Sequence, residues 1–231
     1  MEIRFAGVTK QFPPDIVALQ DIFLSIDKGE FVYLVGPTGS GKTTLLRLVT
    51  RELVPTKGRV TVGDVNIRKI ASHNLAYLRR NIGVVFQDFR LLPDLTVHEN
   101  IDFVQEVIGV PFQSVQKRTN EVLDRLGLWR KRNLFPEQIS GGEQQRVAIG
   151  RAIANSPSIL LADEPTGNLD TDMADEILQL LLSINASGTT LVVATHNQYI
   201  VDSYRQRVIE LRKGRLIRDE RKGRYRSDGD L

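Results

Sequence analysis

The sequence predicts an α/β fold with an N-terminal antiparallel β part and an inserted helical lobe. Three patterns predict it: polar and apolar residues alternate over the first sixty-odd positions, a short apolar run enters a glycine-rich loop, and helix and strand patterns alternate again after about residue 140. Two amphipathic stretches at about 96–140 predict the lobe. We expect a single domain over residues 1–226 and a flexible tail over 227–231.

The first part of the chain favours antiparallel strands. Apolar residues alternate with polar ones, and turn residues such as Pro13-Pro14 and Lys28-Gly29 separate the alternating runs. The alternating runs are Ile3–Val8, Leu19–Ile26 and Val60–Val62.

The rest of the core follows an α/β order. Phe31–Val35 is apolar at every position, which is typical of a central parallel strand buried on both faces. Further strands are predicted at 83–86, 159–163 and 191–195, and helices at 43–52, 142–154 and about 172–184. Within the lobe, the amphipathic stretches run from 97 to 108 and from 115 to 126.

Composition excludes several classes of protein. The chain has no cysteine, so disulfides and thiolate metal sites are excluded, and its 41% hydrophobic and 26% charged residues are ordinary for a globular protein. The first ten residues show no signal-peptide core and no lipidation pattern. Residues 177–195 carry no charge, but Asn185–Gly188 interrupts them, which favours helix, turn and buried strand over a membrane span.

The net charge of +3 is unevenly distributed. Residues 1–211 carry 23 basic and 24 acidic side chains, so nothing favours a nucleic-acid groove on the body of the protein. Residues 212–226 carry eight basic side chains and two acids. This basic tail could contact anionic lipid headgroups or could be a solvated tail, and the sequence leaves both open.

A phosphate-binding loop is predicted at residues 36–43, which read Gly-Pro-Thr-Gly-Ser-Gly-Lys-Thr between a strand and a helix. Glycines let backbone N–H groups point at phosphate, and the helix N-terminus adds its positive end. We expect Lys42 to contact the β- and γ-phosphates and Thr43 to offer its hydroxyl to Mg²⁺. The predicted nucleotide-binding residues here are Gly36, Pro37, Thr38, Gly39, Ser40, Gly41, Lys42, Thr43 and Thr44.

Two adjacent acids follow a buried strand. Asp163 ends the run Ile159–Ala162, where an unpaired carboxylate would be costly, so Mg²⁺ is its expected partner. Glu164 comes next and points in a different direction, which suits a general base that polarises the attacking water. Acids that merely cap the strand end are an alternative for one of the two, and a poor one for the pair.

A third motif lies between these two. Residues 140–144 read Ser-Gly-Gly-Glu-Gln and open a helix; Ser140 and Glu143 form a capping box, and a capped helix start is also an anion site. With the phosphate loop upstream and the paired acids downstream, nearly the whole chain resembles the nucleotide-binding subunits of ABC systems.

The resemblance implies that two identical chains enclose two ATP molecules. Ser140, Gly141, Gly142 and Glu143 would contact the ATP of the opposite subunit, and Asp170, in the segment Asn168-Leu169-Asp170, would communicate across the dimer. The cofactors implied are ATP and Mg²⁺.

Three further site residues follow from the resemblance. Gln87 would touch Mg²⁺ and the attacking water, His196 would face the γ-phosphate, and Phe12 would stack on adenine. From the residues alone, the alternatives are a surface glutamine, a structural histidine and a core phenylalanine. The implied catalytic set is Glu164, His196, Gln87 and Lys42, and the implied metal ligands are Thr43, Gln87 and Asp163.

The runs Ile139–Arg146 and Leu161–Asp170 are similar to one ABC branch, which contains ATPases of cell division, lipoprotein release and macrolide export. Within it, Phe86–Pro93, Ala194–Asn197 and Arg218–Tyr225 resemble the cell-division members most. That resemblance implies a polytopic membrane partner, FtsX, docked near Gln87–Leu92 at the cytoplasmic face of a bacterial membrane, and control of cell-wall hydrolysis. An ATPase subunit of a lipoprotein-releasing or drug-export transporter has the same motifs and stays open.

Overall fold

The computed structural model describes residues 1–225 and contains two β-sheets. The strands of the first sheet are β1 (Ile3–Phe12), β2 (Ile16–Ile26), β4 (Lys57–Val62) and β5 (Val65–Asn66); they are antiparallel, in the order β2-β1-β4-β5. Those of the second are β3 (Phe31–Val35), β6 (Ile82–Val85), β7 (Ile159–Asp163), β8 (Thr190–Ala194), β9 (Arg207–Arg212) and β10 (Arg215–Glu220). Their order is β10-β9-β3-β8-β7-β6, and only β10 is antiparallel to its neighbour.

Seven α-helices accompany the sheets over the described residues. They are α1 (Lys42–Val49), α2 (Ser72–Arg80), α3 (Val97–Glu106), α4 (Phe112–Arg125), α5 (Gly141–Ile153), α6 (Thr171–Ala186) and α7 (Gln198–Ser203), with short 3-10 helices at Trp129–Lys131 and Pro136–Gln138. The predicted α/β class, the antiparallel N-terminal part and the helical lobe are confirmed. Arg226 and the tail predicted at 227–231 lie outside the described residues.

The central strand β3 organises the core. It pairs in parallel with β9 on one side and β8 on the other, and all five of its residues are buried. Strand alternation sends Phe31, Tyr33 and Val35 into the core shared with α5 and α6. Val32 and Leu34 face the opposite core, shared with α1 and the antiparallel sheet.

The helical lobe lies between β6 and α5 in the chain. Its first helix begins where the sequence predicts, because Thr96 accepts a hydrogen bond from the Glu99 amide and the Glu99 side chain accepts one from the Thr96 amide. A β-carbon at Gly150 of α5 would lie only 2.5 Å from Leu126 and 3.1 Å from Ile101. Glycine there therefore lets the lobe pack closely on the helix that carries the Ser-Gly-Gly motif.

Two helix predictions need correction. Helix α1 ends at Val49 rather than at Glu52, because the amides of Glu52 and Leu53 both donate to the Arg47 carbonyl and the chain turns there. The sequence does not predict helix α2, because Leu78 is its single buried residue and the helix therefore has almost no apolar period.

The prediction of a basic tail at 212–226 is wrong for its described part. Arg212 ends β9, and β10 folds back on β9 as a hairpin. The Arg218 side chain is 8% exposed and its Nε lies 3.0 Å from Glu210 Oε2, so this charge is paired within the protein. The arginines of β10 favoured a tail because the sequence does not show that the strand's side chains alternate between exposed and half-buried positions.

The hairpin also divides the exposed basic side chains into two groups. Lys213 and Arg215 lie at the turn, whereas Arg221, Lys222 and Arg224 follow the other end of β10. The two groups lie at opposite ends of the six-residue strand β10, about 20 Å apart. The exposed positive charge of residues 212–225 therefore does not form one continuous patch.

Strand β6 depends on glycine for its contact with α5. A β-carbon on Gly83 would lie 2.4 Å from the Ala152 carbonyl oxygen and 3.0 Å from Leu160 Cδ1. We expect Gly83→Ala to lower the free energy of unfolding by about 1–3 kcal/mol, because the backbone of α5 must move. Urea unfolding measures this, with Gly141→Ala as control, since a β-carbon there meets only Leu169 at 4.0 Å. Equal stability of the two variants would contradict the close packing.

Candidate active site

The phosphate loop joins β3 to α1 and lies against two distant segments. A β-carbon on Gly36, whose φ is +142°, would lie 2.1 Å from the Leu211 carbonyl oxygen of β9. One on Gly41, whose φ is +109°, would lie 2.7 Å from the Ala18 carbonyl oxygen of β2. Both glycines are therefore required by the backbone conformation and by the space behind the loop.

Lys42 extends along the inside of this loop. Its Nζ donates to the carbonyl oxygens of Gly36, at 2.6 Å, and Pro37, at 3.2 Å. Burial lowers the pKa of Lys42, while the nearby carboxylates of Glu164 and Asp163 oppose that shift. The ammonium group is thus held at the loop that the motif assigns to phosphate.

Asp163 and Thr43 meet across the site. The Thr43 hydroxyl donates to Asp163 Oδ2 at 2.8 Å. Burial raises the pKa of Asp163, and the neighbouring carboxylate of Glu164 adds to that effect, whereas the hydrogen bond from Thr43 lowers it. The Thr43 hydroxyl oxygen and an Asp163 carboxylate oxygen, both possible metal ligands, therefore lie side by side. Burial leaves the ionised Asp163 carboxylate only partly solvated.

Glu164 turns away from β7 because its backbone is left-handed, with φ +50°. Its amide donates to the Ala194 carbonyl oxygen at 2.8 Å, which fixes the turn. Glu164 Oε1 lies 2.8 Å from His196 Nδ1, and Oε2 accepts from the His196 amide at 3.3 Å. The Glu164 side chain is 13% exposed and the His196 side chain 62%, so the acid is shielded while its partner reaches solvent.

The carboxyl ends of four parallel strands bring these residues together. One cleft of about 360 Å³ is lined by the phosphate loop and by the residues that follow β6, β7 and β8. Its lining residues are Ala18, Thr38, Gly39, Ser40, Gly41, Lys42, Thr43, Thr44, Gln87, Asp163, Glu164 and His196. Gln87 lies there with its carbonyl oxygen accepting from Asn168 Nδ2 at 3.2 Å.

Ala18 is a lining residue that sequence reasoning missed. It reaches the cleft because Gly41 packs against its carbonyl, and no motif at residue 18 signals that approach. Phe12, in contrast, is not among the lining residues; it is half-buried, belongs to neither hydrophobic core, and lies under Lys10 Nζ at 4.9 Å from the ring centroid.

The Ser-Gly-Gly motif lies at a different cleft of the same chain. That cleft, of about 510 Å³, is lined by Ser140, Gly142, Glu143 and Asp170 among others, and it shares no lining residue with the phosphate cleft. Ser140 and Glu143 form the predicted capping box, and Lys131 Nζ lies 2.5 Å from Glu143 Oε1. Asp170 caps α6, where its Oδ1 accepts from the Met173 amide at 2.9 Å. Most of the predicted site residues thus line one of two separate clefts.

Comparison with known proteins identifies the family. The family model described as ABC transporter matches residues 19–167, which is more than half of the chain. This chain belongs to the ABC transporter family. It is accordingly an ATPase, and the predicted ABC-type ATP-binding subunit is confirmed.

Curated relatives of this ABC chain match it over nearly its full length. The cell division ATP-binding protein FtsE of Mycobacterium tuberculosis is 51% identical over 229 residues, covering 99% of this chain and 100% of the relative. FtsE of Streptococcus pneumoniae is 49% identical over 226 residues, 98% of each chain. FtsE of Bacillus subtilis is 48% identical over 225 residues, 97% of this chain and 99% of the relative.

Solved structures of ABC cassettes share the fold. The dimeric structure of a bacterial ABC transporter cassette has a TM-score of 0.86 and 38% identity, covering 96% of this chain and 100% of that chain. A dimeric post-hydrolysis state of an ATP-binding cassette bound to ADP and Pi has a TM-score of 0.85, with the same identity and coverage. Within residues 1–225, no helix combines the length and the apolar character that a membrane crossing requires.

The buried carboxyl group gives a pH-dependent prediction. Because the native pKa of Asp163 is raised, its ionisation destabilises the nucleotide-free fold at neutral pH, and this destabilisation declines as pH falls from the native pKa toward the unfolded pKa. We expect Asp163→Asn to raise Tm in EDTA at about pH 7, and the gain to vanish once the carboxyl is protonated in both states, below its unfolded pKa of about 3.9. Thermal melts against pH measure this, with the exposed Asp94→Asn as control. A pH-independent gain would contradict the assignment.

Proposed function

We propose that this chain is the ATP-hydrolysing subunit of a bacterial cell-division ABC complex. Two such chains close on ATP, and the movement passes to a polytopic, FtsX-like membrane protein that controls cell-wall hydrolysis. The observation that carries the cell-division assignment is the 48–51% identity to proteins named FtsE over 97–99% of this chain. For the chemistry, the carrying observation is the Glu164–His196 pair beside the phosphate loop.

ATP enters the cleft with its phosphates at the loop and its base toward the end of β1. The glycines leave backbone N–H groups free to donate to phosphate oxygens, and Lys42 exchanges its two carbonyl partners for the β- and γ-phosphates. Phe12 stacks on adenine; the half-buried ring at the strand end supports this assignment.

Mg²⁺ fits the donors at the acid end of the cleft. Thr43 and Asp163 already place a hydroxyl and a carboxylate oxygen 2.8 Å apart, and hard cations prefer such ligands. Gln87 lines the same cleft and completes the proposed set with its amide oxygen. When bound, the ion would neutralise phosphate charge, and it would also remove the cost of burying the Asp163 carboxylate.

Glu164 acts as the general base. Its carboxylate is shielded and is oriented by two contacts with His196, so it presents a fixed acceptor to a water at the γ-phosphate. His196 contacts the γ-phosphate from the carboxyl end of β8, and Gln87 orients the same water. The left-handed turn at Glu164 supports this assignment, because it aims the acid away from the one that binds the metal.

A second copy of the chain completes each site. Ser140, Gly141, Gly142 and Glu143 contact the γ-phosphate of the other subunit's ATP, and Asp170 lies in the segment that crosses the interface. The separation of the two clefts supports this, since the capped helix start does not line the phosphate cleft of its own chain. Closed twofold dimers are the natural result of such self-complementary half-sites.

Loss of the base should trap the closed dimer. We expect Glu164→Gln to lower kcat by about 10²–10⁴-fold because the variant cannot accept a proton, while ATP binding persists. Light scattering with size exclusion in ATP should then show a stable dimer. The exposed Glu121→Gln is the control and should turn over ATP normally. Rapid turnover by Glu164→Gln would show that the base is assigned wrongly.

The membrane partner docks beside the residues that follow β6. A groove of about 430 Å³ opens there between α2, β6 and α3; Phe86, Leu92 and Phe103 give it an apolar part, and Arg79 and Arg80 give it a basic part. Residues 87–92 border this groove and begin at the nucleotide cleft. A helix of the partner seated there would therefore sense the position of Gln87.

A charge in this segment should prevent docking. We expect Phe89→Asp to abolish recruitment to membranes that contain the partner, with ATP affinity unchanged because Phe89 does not line the nucleotide cleft. Co-sedimentation measures recruitment, and Phe23→Asp is a matched control, since Phe23 is 66% exposed on the antiparallel sheet. Normal recruitment of Phe89→Asp would disprove this dock.

The identity of the partner separates cell division from transport. The Glu164→Gln chain, captured from native membranes in ATP, should bring down a four-helix protein with a large external loop. A lipoprotein-releasing or drug-export permease would instead support the alternative, a transporter ATPase. A lipid contact of the C-terminal segment is limited to its exposed groups, above all Arg221, Lys222 and Arg224, and is measured on anionic liposomes at low salt.

A further inference from the structure

Residues 88–90 adopt a backbone that their sequence does not favour. Phe89 and Arg90 have φ values of +55° and +51°, although neither is glycine. The Arg90 amide donates to the Asp88 carbonyl oxygen at 2.5 Å and closes a three-residue turn around Phe89. Two consecutive left-handed residues with side chains persist only where the surroundings hold them.

Arg151 supplies the contact that holds this turn. It lies in the last turn of α5, and its Nη1 and Nη2 donate to the carbonyl oxygens of Arg90, at 2.5 Å, and Phe89, at 2.9 Å. The planar fork of guanidinium suits two adjacent carbonyls. Burial lowers the pKa of Arg151, and no carboxylate among residues 1–225 forms an ion pair with it. Its polar contacts are therefore devoted to this backbone.

The other contacts of the segment act elsewhere. Asn168 bonds to the carbonyl of Gln87, and the Arg90 side chain contacts Asp88 at 3.0 Å and the Phe86 ring at 3.9 Å from its centroid. None of these contacts involves the carbonyl oxygens of Phe89 and Arg90, which accept from Arg151. Removal of Arg151 would thus leave the turn without its direct support.

We propose that Arg151 is a positioning residue that holds residues 88–90 in the left-handed turn and thereby places Gln87 in the nucleotide cleft. This inference rests on the proposed role of Gln87 in hydrolysis. Helix α5 then has two roles. Its N-terminal end presents Ser140–Gly142 to the second subunit's ATP, and Arg151 in its last turn holds residues 88–90. The helix has thirteen residues and spans about 20 Å, so a shift at one end moves the other.

The first test separates kcat from KM in the full-length chain. Arg151→Ala should lower kcat at least about tenfold, since a displacement of about 1 Å at a reacting group has effects of that order or more. KM for ATP should stay within about twofold, because Lys42 and Thr43 are untouched. The exposed Arg118→Ala on α4 is the control for loss of an arginine and should keep both constants.

The second test asks whether Arg151 acts through backbone conformation. In the Arg151→Ala background, Phe89→Gly should restore kcat several-fold relative to Phe89→Ala, because glycine adopts a φ of +55° without a steric cost. The two replacements both lack the ring and differ only in the β-carbon. Equal kcat for the glycine and alanine variants would overturn the proposal.

Parallel measurement of Gln87→Ala separates the two possible failures. If Gln87→Ala loses activity and Arg151→Ala does not, the role of Arg151 is wrong while that of Gln87 stands. If Gln87→Ala keeps full activity, the proposed role of Gln87 fails, and the inference that rests on it fails too. Should Arg151→Ala not fold, Arg151→Lys replaces it; one ammonium cannot span both carbonyls, so kcat should still fall, and an unchanged kcat would overturn the proposal.

Discussion

The phosphate loop lies between the two sheets, and at Gly36 and Gly41 its backbone is so close to theirs that no side chain would fit. On one side Gly36 faces the carbonyl of Leu211, and on the other Gly41 faces the carbonyl of Ala18. The hairpin between β9 and β10 adds a hydrogen bond from the Gly214 amide to the Ser40 carbonyl. Because the loop is supported by backbone on both sides, its N–H groups keep their direction before any nucleotide arrives, and the orientation of Lys42 depends on that support.

Among residues 1–225, three of the eight non-glycine residues with a left-handed backbone lie where chemistry and coupling are assigned. Glu164, Phe89 and Arg90 all have left-handed conformations although none is glycine. In each case a specific contact holds the conformation: the Ala194 carbonyl holds the amide of Glu164, and Arg151 holds the carbonyls of the other two. Such residues are costly in isolation, so the packing of β8 and α5 stabilises them. The stability of the core and the geometry of the site are thus linked.

Motifs predicted the groups that meet the ligand better than the parts that support them. The loop at 36–43, the acids at 163–164 and the capped helix at 140 carry their chemistry in short stretches of sequence, and the apolar runs of β3, β6, β7 and β8 predict buried strands. The roles assigned to these residues remain predictions until they are tested by mutation. Ala18, Arg151 and the hairpin could not be predicted, because each acts through a backbone contact with a residue far away in the chain. The basic residues at 212–226 predicted a tail open to either lipid or solvent, since nothing local shows that Glu210 pairs with Arg218.

The position of the hairpin has a consequence for synthesis of the protein on the ribosome. The phosphate motif has left the exit tunnel early, when neither Leu211 nor Gly214 has been made. The backbone contacts that support the loop, and with them a rigid nucleotide site, therefore form only after residues 211–214 have emerged, roughly 8–34 s after the phosphate motif at ordinary elongation rates of about 5–20 residues per second.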